Sequence, residues 1–165
     1  MGRVYNDMNE FNANLKMAMD GIIPAIGDNI QTLAETMADA IKKRVQYTGK
    51  AYDDTPFSSY SSSHAYKKKK YGKGRAGTRT DIKNFTYQGT MWEGFGYKRK
   101  IISSTNVIGK ISFAGDNVYM SNEELHDKHS LREGKDIAQP TDKMQEDLVE
   151  QITRLIAIHI TKILG

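Results

Sequence analysis

The sequence predicts an α+β fold: a long kinked N-terminal helix and a C-terminal helix packed on a small antiparallel β-sheet, with a long extended basic loop between the first helix and the sheet. Three observations carry this. Apolar residues recur at helical spacing near both ends of the chain. Short apolar runs separated by turn residues occupy 82–115. Between the first helix and those runs lies a stretch, 46–81, without a single Leu, Ile, Val or Met.

The N-terminal helical region is placed at 7–46. Its stripe is Met8, Phe11, Leu15, Met19, Ile22, Ile26, Ile30, Leu33, Met37, Ile41 and Val45, each step three or four residues. Gly21, Pro24 and Gly27 interrupt it, because proline lacks an amide donor and disfavours helical geometry at Ile23; a kinked helix or two abutting helices is expected. Lys42, Lys43 and Arg44 complement the carbonyl end, and Gly49 is a plausible terminator.

The arm at 47–81 is rich in Tyr, Ser and Lys and holds five of the nine tyrosines: Tyr47, Tyr52, Tyr60, Tyr66 and Tyr71. Unstructured loops beyond roughly 12 to 15 residues are uncommon, so this segment is expected to be shaped only on assembly with another molecule. An antiparallel sheet follows at 82–115, with runs at Ile82–Tyr87, Gly94–Ser104 and Val107–Ala114; the last two form a hairpin around Thr105 and Asn106, and the first is expected as a third strand. A short helix is expected within 116–130. Thr141 caps a last helix at 141–164 whose apolar set is Met144, Leu148, Val149, Ile152, Leu155, Ile156, Ile160 and Ile163.

All of this is one domain, 1–165. Counting glycine but not tyrosine, the chain is about 41% apolar, slightly below the ~45–50% of ordinary globular domains, so the isolated subunit is expected to be marginally stable. The absence of Cys excludes disulfides and thiolate metal sites. No apolar run resembles a signal peptide or a membrane span, and no membrane association is expected.

Net charge is only +4, but its distribution is uneven. From His64 to Thr80 the chain carries Lys67, Lys68, Lys69, Lys70, Lys73, Arg75 and Arg79 with no acid, a segment of +7 against −3 for the remainder. Interleaved with tyrosine, it suits either stacking on nucleic-acid bases or docking on a neighbouring protein, with Tyr47, Tyr52, Phe57 and Tyr60 as further anchors.

Catalytic patterns are weak. ELHDKH sets His126 and His129 three residues apart beside Glu123, Glu124 and Asp127, whereas a hydrolytic zinc helix would read HExxH; a solvated polar helix end is the expected reading. His159, inside LIAIHI, is expected to be satisfied at a core edge or subunit contact. Gly72, Gly74 and Gly77 formally spell GxGxxG, but a lysine run precedes them where a buried strand would be needed. No catalytic residue, metal or cofactor is expected, and the chain is read as a non-enzyme.

The stretch TPFSSYSSSHAYKKKK followed by KNFTYQGTMWEGF resembles the head-to-tail joining and tail-completion proteins of tailed bacteriophages, within the broader virion-morphogenesis group. Pro56, Phe57, Ser63, Tyr66 and Lys69 match that group's Pro-aromatic segment with its Ser, Tyr and Lys-rich end. Phe85, Gly89, Thr90 and Met91 fall on its turn motif, with Gln88 replacing the usual hydroxyl residue and Trp92 standing where small polar residues are common. VYMSNEELHDKHS is similar to its Tyr-Ala segment, without the expected glycine after the histidine, and Ala138, Gln139 and Pro140 correspond to the start of its last helix.

The resemblance implies a virion protein assembled in the host cytoplasm. Six or twelve copies would form a ring in the neck or at the tail top, joining portal or adaptor proteins to tail proteins around the DNA channel. A dozen +7 segments aimed inward would put about 84 positive charges in the lumen and hinder DNA passage, so the arm is expected to reach an acidic protein surface, with non-specific DNA contact at its tip. The alternative is a small basic nucleic-acid-binding protein that uses residues 64–80.

Overall fold

The computed structural model describes residues 7–86, 90–103, 106–116 and 120–164. The architecture is α+β: a long N-terminal helix, a C-terminal helix and a two-stranded antiparallel sheet. The helices are α1 (Met8–Lys43), α2 (Ser62–Tyr71), α3 (Gly74–Thr78), α4 (Thr90–Glu93), α5 (Asn122–Glu133) and α6 (Asp142–Leu164); the strands are β1 (Gly96–Ile102) and β2 (Val107–Ser112).

Helix α1 starts where the Asp7 carboxylate accepts from the amides of Asn9 and Glu10 at 2.7 and 2.8 Å. It runs as one helix through Gly21, Pro24 and Gly27, so of the two expected arrangements the single helix forms and not two abutting ones. The hydrogen bond that Pro24 forgoes is local, whereas the stripe packs against α6 along much of its length, and tertiary packing outweighs a local defect of a few kcal/mol. A wider π-helical turn, Arg44–Thr48, finishes the helix, and Gly49 in the left-handed region (φ 65°) closes it by donating to the Val45 carbonyl.

Helix α6 begins as the sequence predicts, with the Thr141 hydroxyl accepting from Met144 at 3.2 Å. It lies along α1, and α1 crosses the hairpin. An apolar stripe of 3.6-residue period on each helix fits the other better than it fits a narrow two-stranded ribbon. Gly21 makes room for α6: a Cβ there would sit 2.5 Å from Nε2 of His159, and that nitrogen lies 3.1 Å from the Ala18 carbonyl. His159 is thus satisfied at a core edge.

The hairpin pairs Gly96 with Ser112 and Ile102 with Val107, with an irregularity between Tyr97 and Arg99. Along β2, Val107, Gly109 and Ile111 are half-buried while Ile108 and Lys110 are exposed, and Gly109 faces Ile30 and Ala34 of α1. The third strand expected at Ile82–Tyr87 does not form among the described residues 82–86, which bend at Phe85 (φ 51°). The short helix expected within 116–130 is α5, shifted toward the C-terminus. It opens on a capping box between Ser121 and Glu124.

A second core lies beyond the end of α1. Val45, Ala51, Phe57, Phe85, Met91, Trp92, Phe113 and Ile137 form it, with Trp92 wholly buried and edge-on to Phe95 at 5.4 Å. Arg44 closes one side by donating to the carbonyls of Gln139 (2.7 Å) and Ile137 (3.2 Å).

Gly21→Ala gains roughly 1 kcal/mol of helix propensity, but its methyl displaces His159 from Ala18 at a cost of roughly 1–3 kcal/mol, so it should be neutral to destabilising in the natural chain and stabilising in a His159→Ala background. Chemical denaturation of the four proteins in this cycle checks the coupling; strict additivity would contradict it.

Candidate interaction surface

The segment between α1 and the hairpin is not the extended arm that its lack of aliphatic residues suggests: it carries α2 and α3, and it is already tied to the rest of the chain. Aromatic and polar groups do what aliphatic ones do elsewhere. Phe57 is buried edge-on to Phe85 at 4.9 Å. The Lys135 ammonium donates to Asp53 at 2.8 Å and also to Thr55. Both the amide and the hydroxyl of Ser58 donate to the Glu133 carboxylate at 2.9 and 2.8 Å, and Lys83 joins the same carboxylate. Glu133 is accordingly held below the usual carboxylate range: burial opposes this, but the Lys83 and Ser58 hydrogen bonds outweigh it.

Tyr60 and Asn84 form the next attachment. The Tyr60 hydroxyl donates to Oδ1 of Asn84 at 3.2 Å and accepts from the amides of Asn84 and Phe85 at 3.2 and 3.1 Å; burial pushes its phenol up to about 12. The Asn84 carbonyl accepts from the Trp92 indole at 3.3 Å. This arrangement holds Phe85 in the left-handed region that side chains rarely adopt, with its ring 5.0 Å from that of His129.

Helix α2 follows, capped by Ser61. Four consecutive lysines on a helix span about 300° of its circumference, so they cannot all face solvent once the helix lies on a body. Lys68 is the one turned in. It is completely buried, and its ammonium donates to the carbonyl of Gly77 at 2.8 Å and to that of Thr86, with the Tyr60 ring centroid 5.4 Å away. Burial pushes this amine down to about 8. Gly72 permits the tight return to Gly77, since a Cβ there would meet the Gly77 carbonyl oxygen at 2.1 Å. The three glycines of the formal GxGxxG therefore build a turn around a lysine.

With Lys68 inward, Tyr66, Lys67, Lys69, Lys70, Tyr71 and Lys73 are left exposed on one helical knob. Tyr66 and Tyr71 are 62% and 56% exposed, which is high for aromatic rings, and the Lys70 amine lies 5.8 and 5.1 Å from their centroids. The other predicted residues divide between core and surface. Phe57, Phe85 and Met91 are core, Tyr60 is largely buried, Tyr52 is half-buried and Tyr47 is exposed. Arg79 is engaged within the chain, gripping Asp81 at 2.7 Å and the Tyr47 carbonyl at 2.8 Å. Gly89 and the Arg75 side chain lie outside the described residues.

The two histidines of α5 are not at a solvated helix end. His126 stacks on Phe113 at 4.6 Å, with Nδ1 3.0 Å from Asp127 and Nε2 2.9 Å from Asp136. Burial disfavours its charge, yet the two carboxylates outweigh burial and raise its pKa. His129, against Phe85, is pushed down to about 4 by burial and then by the nearby charges of Arg132 and Lys83. Among the described residues no three His, Asp or Glu side chains are placed to hold a metal ion, and no helix is long and apolar enough to cross a membrane.

Sequence reasoning did not single out Lys83, Asn84, Thr86 or Glu133, because each acts through a partner far away in the chain. Compared with protein-family models, with curated proteins and with solved structures, the chain matches none.

Two outcomes are expected. Lys68→Met should leave the Gly77 and Thr86 carbonyls without their donor, so hydrogen exchange should accelerate in 62–78 while α1 and α6 keep their protection. Unfolded His129 takes up a proton near 6.5 but the native residue only near 4, so stability falls as pH drops through that window, by at most roughly 3 kcal/mol. His126, whose native pKa is raised, acts oppositely and loses its contribution as pH rises through that value. His129→Leu should flatten the acid limb of a melting-temperature profile, and His126→Gln should lower melting more in mildly acidic than in mildly alkaline buffer.

Proposed function

We propose that this chain is a structural virion subunit of a tailed bacteriophage, one of six or twelve copies in a ring at the neck or tail top that joins portal or adaptor proteins to the tail around the DNA channel. It acts without catalysis or cofactor and is assembled in the host cytoplasm. The observation that carries the reading is the incomplete cover on α6. Over its 23 residues the apolar stripe of Met144, Leu148, Ile152, Leu155, Ile156, Ile160 and Ile163 is only half-buried, and no residue of the helix is fully buried. Met8, Met17 and Met19 on α1 and Val149 and Ile158 on α6 are at least 60% exposed.

Large apolar side chains gain roughly 1.5–3 kcal/mol each on full burial, so a few of these positions suffice to drive association. A ring subunit needs two separate contact surfaces, and the exposed Tyr and Lys knob of α2 supplies a second one of opposite chemical character. The resemblance of residues 55–95 to joining proteins points the same way.

A second reading, a small nucleic-acid-binding protein, is favoured by the exposed Tyr66 and Tyr71 rings among lysines, which suit base stacking with phosphate contacts. Electron microscopy of particles carrying a tagged copy should show the tag as a ring at the junction of head and tail, and particles lacking the protein should accumulate as separate heads and tails. A tag found elsewhere, with normal joining in its absence, would overturn the proposal. Titrating an oligonucleotide against salt separates the two readings: a dedicated binder shows tight binding that falls steeply with salt, a neck subunit only loose binding.

A further inference from the structure

We infer that the exposed face of α2 docks on a second copy of this chain, against the acidic first half of α6 and the notch which that helix forms with α1. This rests on the proposal that the protein assembles with copies of itself, and it identifies the two surfaces that meet.

The charges are complementary and separate. Lys67, Lys69, Lys70 and Lys73 stand exposed on and just after α2. The first half of α6 exposes Asp142, Glu146, Asp147 and Glu150, with Lys143 and with Arg154 paired to Glu150 at 2.5 Å. Packing α2 against α2 would oppose lysines with lysines, and packing this part of α6 on itself would oppose acids with acids. Like charges brought together in this way cost several kcal/mol, so each face selects the other. Both are helical surfaces with like charges about one turn apart, Lys67 with Lys70 on α2 and Glu146 with Glu150 on α6.

The apolar fit agrees with the charges. A notch of about 80 Å³ lies between α1 and α6, lined by Leu33, Met37, Met144 and Leu148 and edged by Asp147 and Gln151. It takes part of an aromatic ring, and its edge offers acceptors to a phenolic hydroxyl. Tyr66 and Tyr71 are rings of that kind, exposed beside lysines that would meet the surrounding acids. Because the two faces differ, the contact is head-to-tail and propagates until a ring closes.

The test uses the full chain and its oligomeric mass, measured by sedimentation and mass photometry, with circular dichroism as the folding control. Reversing the lysine face (Lys67→Glu, Lys69→Glu, Lys70→Glu, Lys73→Glu) or the acidic face (Glu146→Lys, Asp147→Lys, Glu150→Lys) should each weaken self-association at least about tenfold. Combining both reversals in one chain should restore it, and Tyr66→Ala with Tyr71→Ala should weaken it at unchanged charge. If the natural chain assembles and neither reversal affects it, this interface is wrong while assembly as such stands. If the natural chain stays monomeric at sub-millimolar concentration and no ring is seen in particles, both proposals fall. If lysine reversal abolishes oligonucleotide binding but leaves assembly intact, the face serves nucleic acid and the inference is overturned.

Discussion

A single buried ammonium organises the part of this molecule that its sequence leaves most open. Lys68 is withdrawn from water at a cost of several kcal/mol, offset by charge-assisted hydrogen bonds to two backbone carbonyls and by the face of Tyr60. Those carbonyls belong to Gly77 and Thr86, so one side chain ties α2, α3 and the approach to α4 into one unit. The neighbouring lysines and tyrosines face outward as a consequence. The same run of residues on an untethered chain would be a solvated coil with no defined face.

The attachment depends on the aromatic core behind it. Tyr60 meets Asn84, Asn84 meets Trp92, and Phe57 and Phe85 close the space between them. Rings with a polar handle fill volume and satisfy buried amides together, and for that reason a segment without one Leu, Ile, Val or Met still packs. The polar ties at Ser58–Glu133 and Asp53–Lys135 sit toward the outside of this core and fix the segment's path over α5 and the loop after it. The α5 histidines belong to the same arrangement, one neutral under Phe85 and the other held between two carboxylates.

The helix pair obeys a different logic. Helices α1 and α6 form a long antiparallel layer, of which the sheet and the aromatic core cover only part, and α6 depends on α1 alone for much of its contact. A helix that buries half its stripe is stable in company and only marginal by itself. The apolar surface and the cationic knob are therefore products of one chain whose elements are each covered on one side.

Periodicity and capping made the regular elements legible from the residues alone: the stripes of α1 and α6, the Thr141 cap, the Gly49 stop and the hairpin all depend on neighbours within a few positions. The absence of a third strand among the described residues 82–86 and the inward turn of Lys68 depend on contacts across the chain, and sequence spacing does not encode these. The candidate surface was legible as composition, a patch of tyrosine and lysine, but not as geometry. Which lysine is buried and which tyrosines stand free was decided by the positions of the Thr86 carbonyl and the Asn84 side chain, because a helix face is chosen by what it packs on and not by the residues it carries.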